Sequence, residues 1–346
     1  MKKSEKSLEG FRYYEYLLFV LATAAVGLLC VCLGSVSIPL GDTLTAIWNT
    51  IWNLPIPAGV SKSVIVYVRL PRVLSVALTG ASLSLCGAAM QGLLRNPLAD
   101  GSTLGVSSGA SLGAVIAIAF GVTIPGVQLA GTMIMAILFA LLSLAFLLSF
   151  AYRLDHSLAT HTIILLGVIF TMFIHSIISL IIAFSGEKVQ PILFWTMGSL
   201  AGSSYPNAFV LFIALFLCGT VLLATARELN AFAVGEDNAR HVGVDVRRVK
   251  LRVLISASVL IGVCVSIGGT IGFVGLATPH IIRMVTGPNH KRLLPASLFS
   301  GAIFLMLADL AGRVLLSPLE IPIGVITSFI GSLVFVYIFY KSRKAV

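Results

Sequence analysis

Charge is what this 346-residue chain most lacks: 10% of its residues are charged, against about 25% in ordinary soluble domains. Catalytic signatures are missing too. No glycine-rich phosphate loop closing on Lys-Ser or Lys-Thr is present, no nucleophile elbow and no zinc motif. These absences exclude nucleotide hydrolysis and the common hydrolase chemistries on this chain. If it takes part in active transport, the ATPase is another chain. Five cysteines, Cys30, Cys32, Cys86, Cys218 and Cys264, all lie in apolar runs without metal-site spacing. Cys30 and Cys32 would point to different sides of a helix, so buried free thiols are expected. Ionisable groups within the apolar runs are few: Asp309, His175 and His280, with Asp155, His156 and His161 at an edge. No Glu-x-x-His, His-x-x-x-His or acidic pair occurs among them, which leaves a proton relay or catalytic metal unsupported.

What fills the sequence is apolar: 58% of residues are hydrophobic and the mean hydropathy is +1.04. The reading is one polytopic, all-α membrane domain over residues 1–346. The formal net charge of +10 does not argue for nucleic acid. Its charges sit in short segments between apolar runs, as topology signals do. About 20 apolar residues cross a bilayer as a helix. Ten candidate spans follow, at 16–36, 68–92, 100–121, 127–151, 158–184, 206–226, 250–269, 272–286, 293–316 and 321–340. The third and eighth are glycine-rich and interrupted. The basic N-terminus followed by a long apolar run reads as an uncleaved first span. With both termini cytoplasmic, 18 of 23 basic residues fall inside, among them Lys2, Lys3, Lys6 and Lys344. The exceptions are Lys62, Arg69, Arg72, Lys188 and Arg313.

Several segments stand out. "YVRLPRVLS" puts Arg69 and Arg72 at the mouth of an apolar helix, with Pro71 acceptable in its first turn. A cation at a helix N-terminus opposes the dipole, so an acidic partner is expected for this pair. Asp309 and Arg313 are four apart and suited to a helical ion pair. His280 follows Pro279 and could bond a freed carbonyl. "GSTLGVSSGASLG" spaces Gly101, Gly105, Gly109 and Gly113 by four, which on one helix would make a face for close helix packing or for a path. Residues 226–252 form the longest polar insertion, with Ala231, Ala233, Val234, Ala239 and Val242 interleaved among charges. Two short helices that dock another protein are expected there, rather than a solvated loop. Residues 185–207 read as a short interfacial helix with Trp195 in the aromatic belt. "CGAAMQGLLRNP" and "GGTIGFVGLATP" hint at an inverted repeat.

Five segments then resemble, in order, the permease family of iron-chelate and vitamin B12 ABC importers: "RLPRVLSVALTGASLSLCGAAMQGLLRNPLADGSTLGVSSGASLGA", "FWTMGSL", "AVGEDNARHVGV", "GFVGLATPHIIRMVTGPNHKRLLP" and "ADLAGRVLLSPLEIPIGVITSFIGSLVFVYI". They run from residue 69 to 340. The resemblance implies a ten-helix type II ABC importer permease in the cytoplasmic (inner) membrane. Its implied partners are a second copy of the chain, two cytoplasmic ATPase subunits carrying ATP and Mg, and an extracytoplasmic substrate-binding protein. It assigns Arg69, Arg72 and Arg313 to binding-protein docking. Gly235, Glu236, Ala239 and Gly243 fall to ATPase coupling, within a cytoplasmic segment at 228–249. Asn96, Leu98, Thr160 and His161 fall to the cytoplasmic gate, although the family's pattern has a small polar residue where His161 stands. No cofactor or metal is implied on this chain. The implied cargo is an iron(III)–siderophore chelate, with haem or cobalamin behind it. An ion-coupled secondary transporter would want buried carboxylates, for which Asp309 is the candidate, and an intramembrane enzyme would want a catalytic pair.

Overall fold

A chain in lipid must satisfy its own backbone hydrogen bonds, and the long apolar runs here do so as helices. The computed structural model describes residues 10–34, 38–52, 54, 63–124, 130–155 and 159–343. Lys2, Lys3, Lys6, Lys62, His156 and Lys344 lie outside the described residues. Seven helical stretches are long and apolar enough to cross a membrane: α1 (Tyr13–Cys32), α3 (Leu70–Leu93, with a wider-wound Ser63–Arg69 leading into it), α5 (Ala130–Leu154), α6 (Thr160–Phe184), α8 (Tyr205–Ala224), α11 (Val246–Gly268) and α13 (His290–Val314). Three further helices stand at the remaining expected spans: α4 (Val106–Phe120), α12 (Val274–Thr286) and α14 (Ile323–Arg343). Four further helices are peripheral: α2 (Leu40–Ile51), α7 (Val189–Thr196), α9 (Ala226–Ala233) and α10 (Glu236–His241).

Helices α3, α11 and α13 are mostly buried, while α1, α5, α6 and α8 turn most of their surface outward. Small residues set this arrangement. A Cβ at Gly80 would land on the carbonyl oxygen of Gly301, and one at Gly87 on that of Gly275. Backbones this close exploit the one attraction left between helices in lipid, van der Waals packing. Gly87 and Gly275 belong to the two stretches suspected of repetition, and Gln91 Nε2 donates to the carbonyls of Gly275 and Leu276 at 3.3 and 3.1 Å. The stretches touch, but the first is helix as far as Leu93 and unwound after it, whereas the second is unwound before Val274 and helical after it.

Three expectations need correction. The glycine series does not share one helix face: Gly101 lies in a turn, and Gly105, left-handed at φ 71°, precedes the first residue of α4. Gly109 and Gly113 alone of the four are helical, pressed against Ser143 and Met135 of α5. Trp195 is half-buried against the core, and Leu193 and Phe194 are the exposed large apolar residues of α7. His280 bonds no carbonyl: its Nδ1 is buried without a partner, and its ring packs near Phe335. Helix α2 was not expected at all. Among the thiols, Cys30, Cys32, Cys86 and Cys264 are buried and free, and Cys218 is half-buried and free.

Candidate functional site

Charged and polar side chains gather at the two ends of the bundle. Helix α13 fixes which end is which. Its first residues meet α9, where Asn230 Nδ2 donates to Asn289 Oδ1 and the His290 amide donates to Asn230 Oδ1, each at 2.8 Å. Its last turn carries Arg313. At 1.5 Å per residue, 25 residues place these ends about 37 Å apart. Glu15 at the start of α1 pairs with Arg292 at 2.5 Å, so α1 begins at the α9 end. Helix α14 starts at the other end, where the Ile321 amide reaches the Gly312 carbonyl at 3.0 Å, and runs back.

At the Arg313 end, three arginines converge. Helix α1 finishes with no basic residue in its last turn, leaving carbonyls without intrahelical partners. Arg69 Nη1 donates to the carbonyls of Val31 and Cys32 at 2.8 and 3.0 Å. Arg313 donates to those of Cys30 and Leu33 at 3.0 and 3.1 Å. Arg72 donates through Nε to Asp309 at 3.0 Å and through Nη1 to Glu320 at 2.8 Å. Arg313 Nε also lies 2.9 Å from Asp309, an ion pair without hydrogen-bond geometry. The expected 309–313 pair therefore forms, and Asp309 is shared by two arginines. All three arginines are buried, at 4–8% exposure, which corrects the expectation of cations held out to a partner. The physical reason is a second dipole. Arg69 and Arg72 sit at the unfavourable end of α3, but Arg69 and Arg313 sit at the favourable, negative end of α1.

At the opposite end, the polar insertion forms two short helices around a turn, as the apolar interleaving predicts; residues 246–249 are already the first turn of α11. Gly235 between α9 and α10 has φ 123°, and Gly243 beyond α10 has φ 89°. Side chains rarely adopt either conformation, so glycine is what allows α10 to be set off from both neighbours. Ala239 is fully buried, whereas Val234 and Val242 are exposed on the outer side. Glu236 opens α10 and reaches back into the bundle. Lys250 of α11, 1% exposed, places Nζ 2.8 Å from both Glu236 carboxylate oxygens. Thr160, the first residue of α6, donates its hydroxyl to Glu236 Oε1 at 3.1 Å. A gate candidate and a coupling candidate thus share a carboxylate. Sequence reasoning missed Lys250, and nothing in its local pattern marks it.

The other gate candidates are not joined to Thr160. Asn96 Oδ1 accepts from the Leu98 amide at 2.9 Å, closing a tight turn after α3, and Leu98 is exposed. His161 is exposed. An open cleft of about 770 Å³ runs between these regions, bounded by Arg95, Thr160, Gly235, Glu236 and Arg240. Deeper in the bundle, Gly101, Ser107, Thr171, His175, Thr270 and Ser328 border a second cavity of about 340 Å³.

Residues 21–341 match the FecCD transport family. The chain is 41% identical over 345 residues to an uncharacterised ABC transporter permease of Bacillus subtilis, covering 97% of this chain and 96% of that protein. It is 40% identical over 287 residues to the cobalamin import system permease of Halobacterium salinarum, covering 82% and 76%. An iron(3+)-hydroxamate import permease of Bacillus subtilis is 35% identical over 322 residues, covering 92% and 83%. In three dimensions the chain resembles a metal-chelate type ABC transporter solved in an inward-facing conformation, with TM-score 0.82 and 32% identity over 94% of this chain and 98% of the other. With a family match spanning nearly its whole length, the chain belongs to the FecCD transport family.

Proposed function

We propose that this chain is the membrane-spanning subunit of an ATP-binding cassette importer that moves an iron(III)–siderophore-type chelate inward, with ATP and Mg held on a separate subunit. The observation that carries the reading is the Glu236 junction. A short helix flanked by exposed Val234 and Val242 is tied through one carboxylate to two transmembrane helices. An ATPase that pushes on α10 moves Glu236, and Glu236 pulls on α6 and α11 together. Gly235, Ala239 and Gly243 shape that lever within the coupling segment at 228–249.

Two copies of the chain form the pore in this reading, with two ATPases below. Asn96 and Leu98 of each copy close the gate with Thr160 and His161. The cavity bordered by Gly101 and Ser107 is a section of the path, while Gly109 and Gly113 hold its wall to α5. The coupling end faces the cytoplasm, as do both termini. A substrate-binding protein docks at the arginine end. Within the cluster itself three guanidiniums meet two carboxylates, a local excess of one positive charge that favours an acidic residue on the partner. Arg69, Arg72 and Arg313 thus shape and charge the docking face from beneath rather than touching the partner from a free surface.

Cobalamin is the second reading, favoured by the 40% identity to a cobalamin permease. The test is uptake of radiolabelled ferric hydroxamates, haem and cobalamin by cells with and without this chain, its ATPase and binding protein present. Loss of ferric hydroxamate uptake on deletion is expected. Loss of cobalamin uptake alone would replace the cargo, and uptake that persists without ATP would overturn the importer.

A further inference from the structure

An apolar groove of about 460 Å³ opens on the outside of the bundle between α1, α3 and α13. Val20, Ala24 and Gly27 of α1 form one wall, Val73 and Ala77 of α3 another, and Met306 of α13 the floor. Thr23 contributes a hydroxyl whose hydrogen is already donated to the Phe19 carbonyl at 2.8 Å, so it offers no free donor. We infer that this groove seats one acyl chain of a membrane phospholipid as a resident ligand.

Continuity with the lipid-facing surface identifies the occupant. Helix α1 is the most outward-facing of the seven long helices, and the groove is an indentation in that surface. Water would find at most the Thr23 oxygen there, fewer than the two to four partners it needs, and an unfilled apolar groove forfeits dispersion contacts along its whole lining. At the arginine end of the groove, Ile47 of α2 closes the lining. Leu40, Leu44, Trp48 and Trp52, four residues apart, stand exposed along α2, and the two indoles lie 5.8 Å apart. Indoles at that height mark the level where headgroups meet acyl chains. The acyl chain therefore enters beside α2 and runs along α1 toward the middle of the bilayer. Gly27 is what leaves room: a Cβ there meets Met306 and Val73 at ordinary contact distances of 3.8 and 3.9 Å, so alanine fits and anything larger fills the groove.

The test is native mass spectrometry of the full chain in its complex, purified in mild detergent, stripped of lipid and titrated with dioleoylphosphatidylglycerol. Wild type and Gly27→Ala should retain one slowly exchanging phospholipid per chain. Gly27→Leu should lower retention by about tenfold or more, as expected when two or more methylene contacts are lost. Should Gly27→Leu fail to assemble, Ala24→Phe, which fills the groove from its exposed rim, should give the same loss. Equal retention by wild type and a groove-filled variant would overturn the proposal. So would copy-to-copy cross-linking through Ala24→Cys, because the groove would then be covered by protein.

Discussion

The two ends of the bundle use the same chemistry in opposite ways. At the arginine end, buried guanidiniums and the Asp309 carboxylate link α1, α3 and α13, three long helices. At the coupling end, a buried lysine and a carboxylate link α11 to a six-residue helix that has a left-handed glycine on each side. Asp309 is 2% exposed, whereas the Glu236 side chain is 22% exposed and reaches water. A buried pair among rigid elements is a staple. The same pair at the rim of a hinged element is a joint.

Breaking the staple should have the largest effect. Asp309→Ala leaves Arg72 and Arg313 buried with their shared carboxylate gone, and removing one partner of a buried pair costs about 3–5 kcal/mol. The expected outcome is a sharp fall in thermal midpoint and yield, read by unfolding in detergent. Full stability would show that water already enters the cluster. Next is the joint. In Lys250→Met the cation is lost but Glu236 can hydrate, so the loss is about 1.5–3 kcal/mol. ATP hydrolysis should continue in the assembled complex while uptake falls. Gly235→Val tests the hinge itself. A branched side chain at φ 123° costs about 1–3 kcal/mol and displaces α10, so uptake should fall further than stability does. The smallest effect is expected of Thr160→Val, which deletes one hydroxyl donor worth about 0.5–1.5 kcal/mol. It should slow uptake modestly with no change in unfolding; a loss as large as that of Lys250→Met would move the weight of the joint from α11 to α6.

How legible these ends were differs for a physical reason. The ten spans follow from length and hydropathy, because lipid leaves few alternatives to a helix. The short helices at 226–241 were legible from alanine and valine interleaved with charge. Helix α2 carried a readable signal, Leu40, Leu44, Trp48 and Trp52 at four-residue spacing, but it is too short to appear in a search for spans. The arginine cluster was half legible. The spacing of Asp309 and Arg313 gave their pair. The carbonyls that hold Arg69 and Arg313 belong to a helix end more than 30 residues away in sequence, and backbone acceptors leave no mark on a sequence. Lys250 was counted as an inside topology charge; its burial depends on Glu236 folding back, which periodicity does not reveal. That the third span is interrupted was legible, but not that the break falls before Val106, because regular glycine spacing looks the same in a turn as in a helix.

The most direct measurement is the ratio of cargo transported to ATP hydrolysed in vesicles that contain the chain, its ATPase and its binding protein, comparing Glu236→Gln with wild type. Glutamine keeps the shape and can still accept from Thr160, but it removes the charge that holds Lys250. The account predicts sustained hydrolysis with a severalfold lower ratio, partly restored when Lys250→Met is added and the buried cation is removed as well. An unchanged ratio in Glu236→Gln would contradict it, and Glu236 would then be a structural contact at a lever that works by other means.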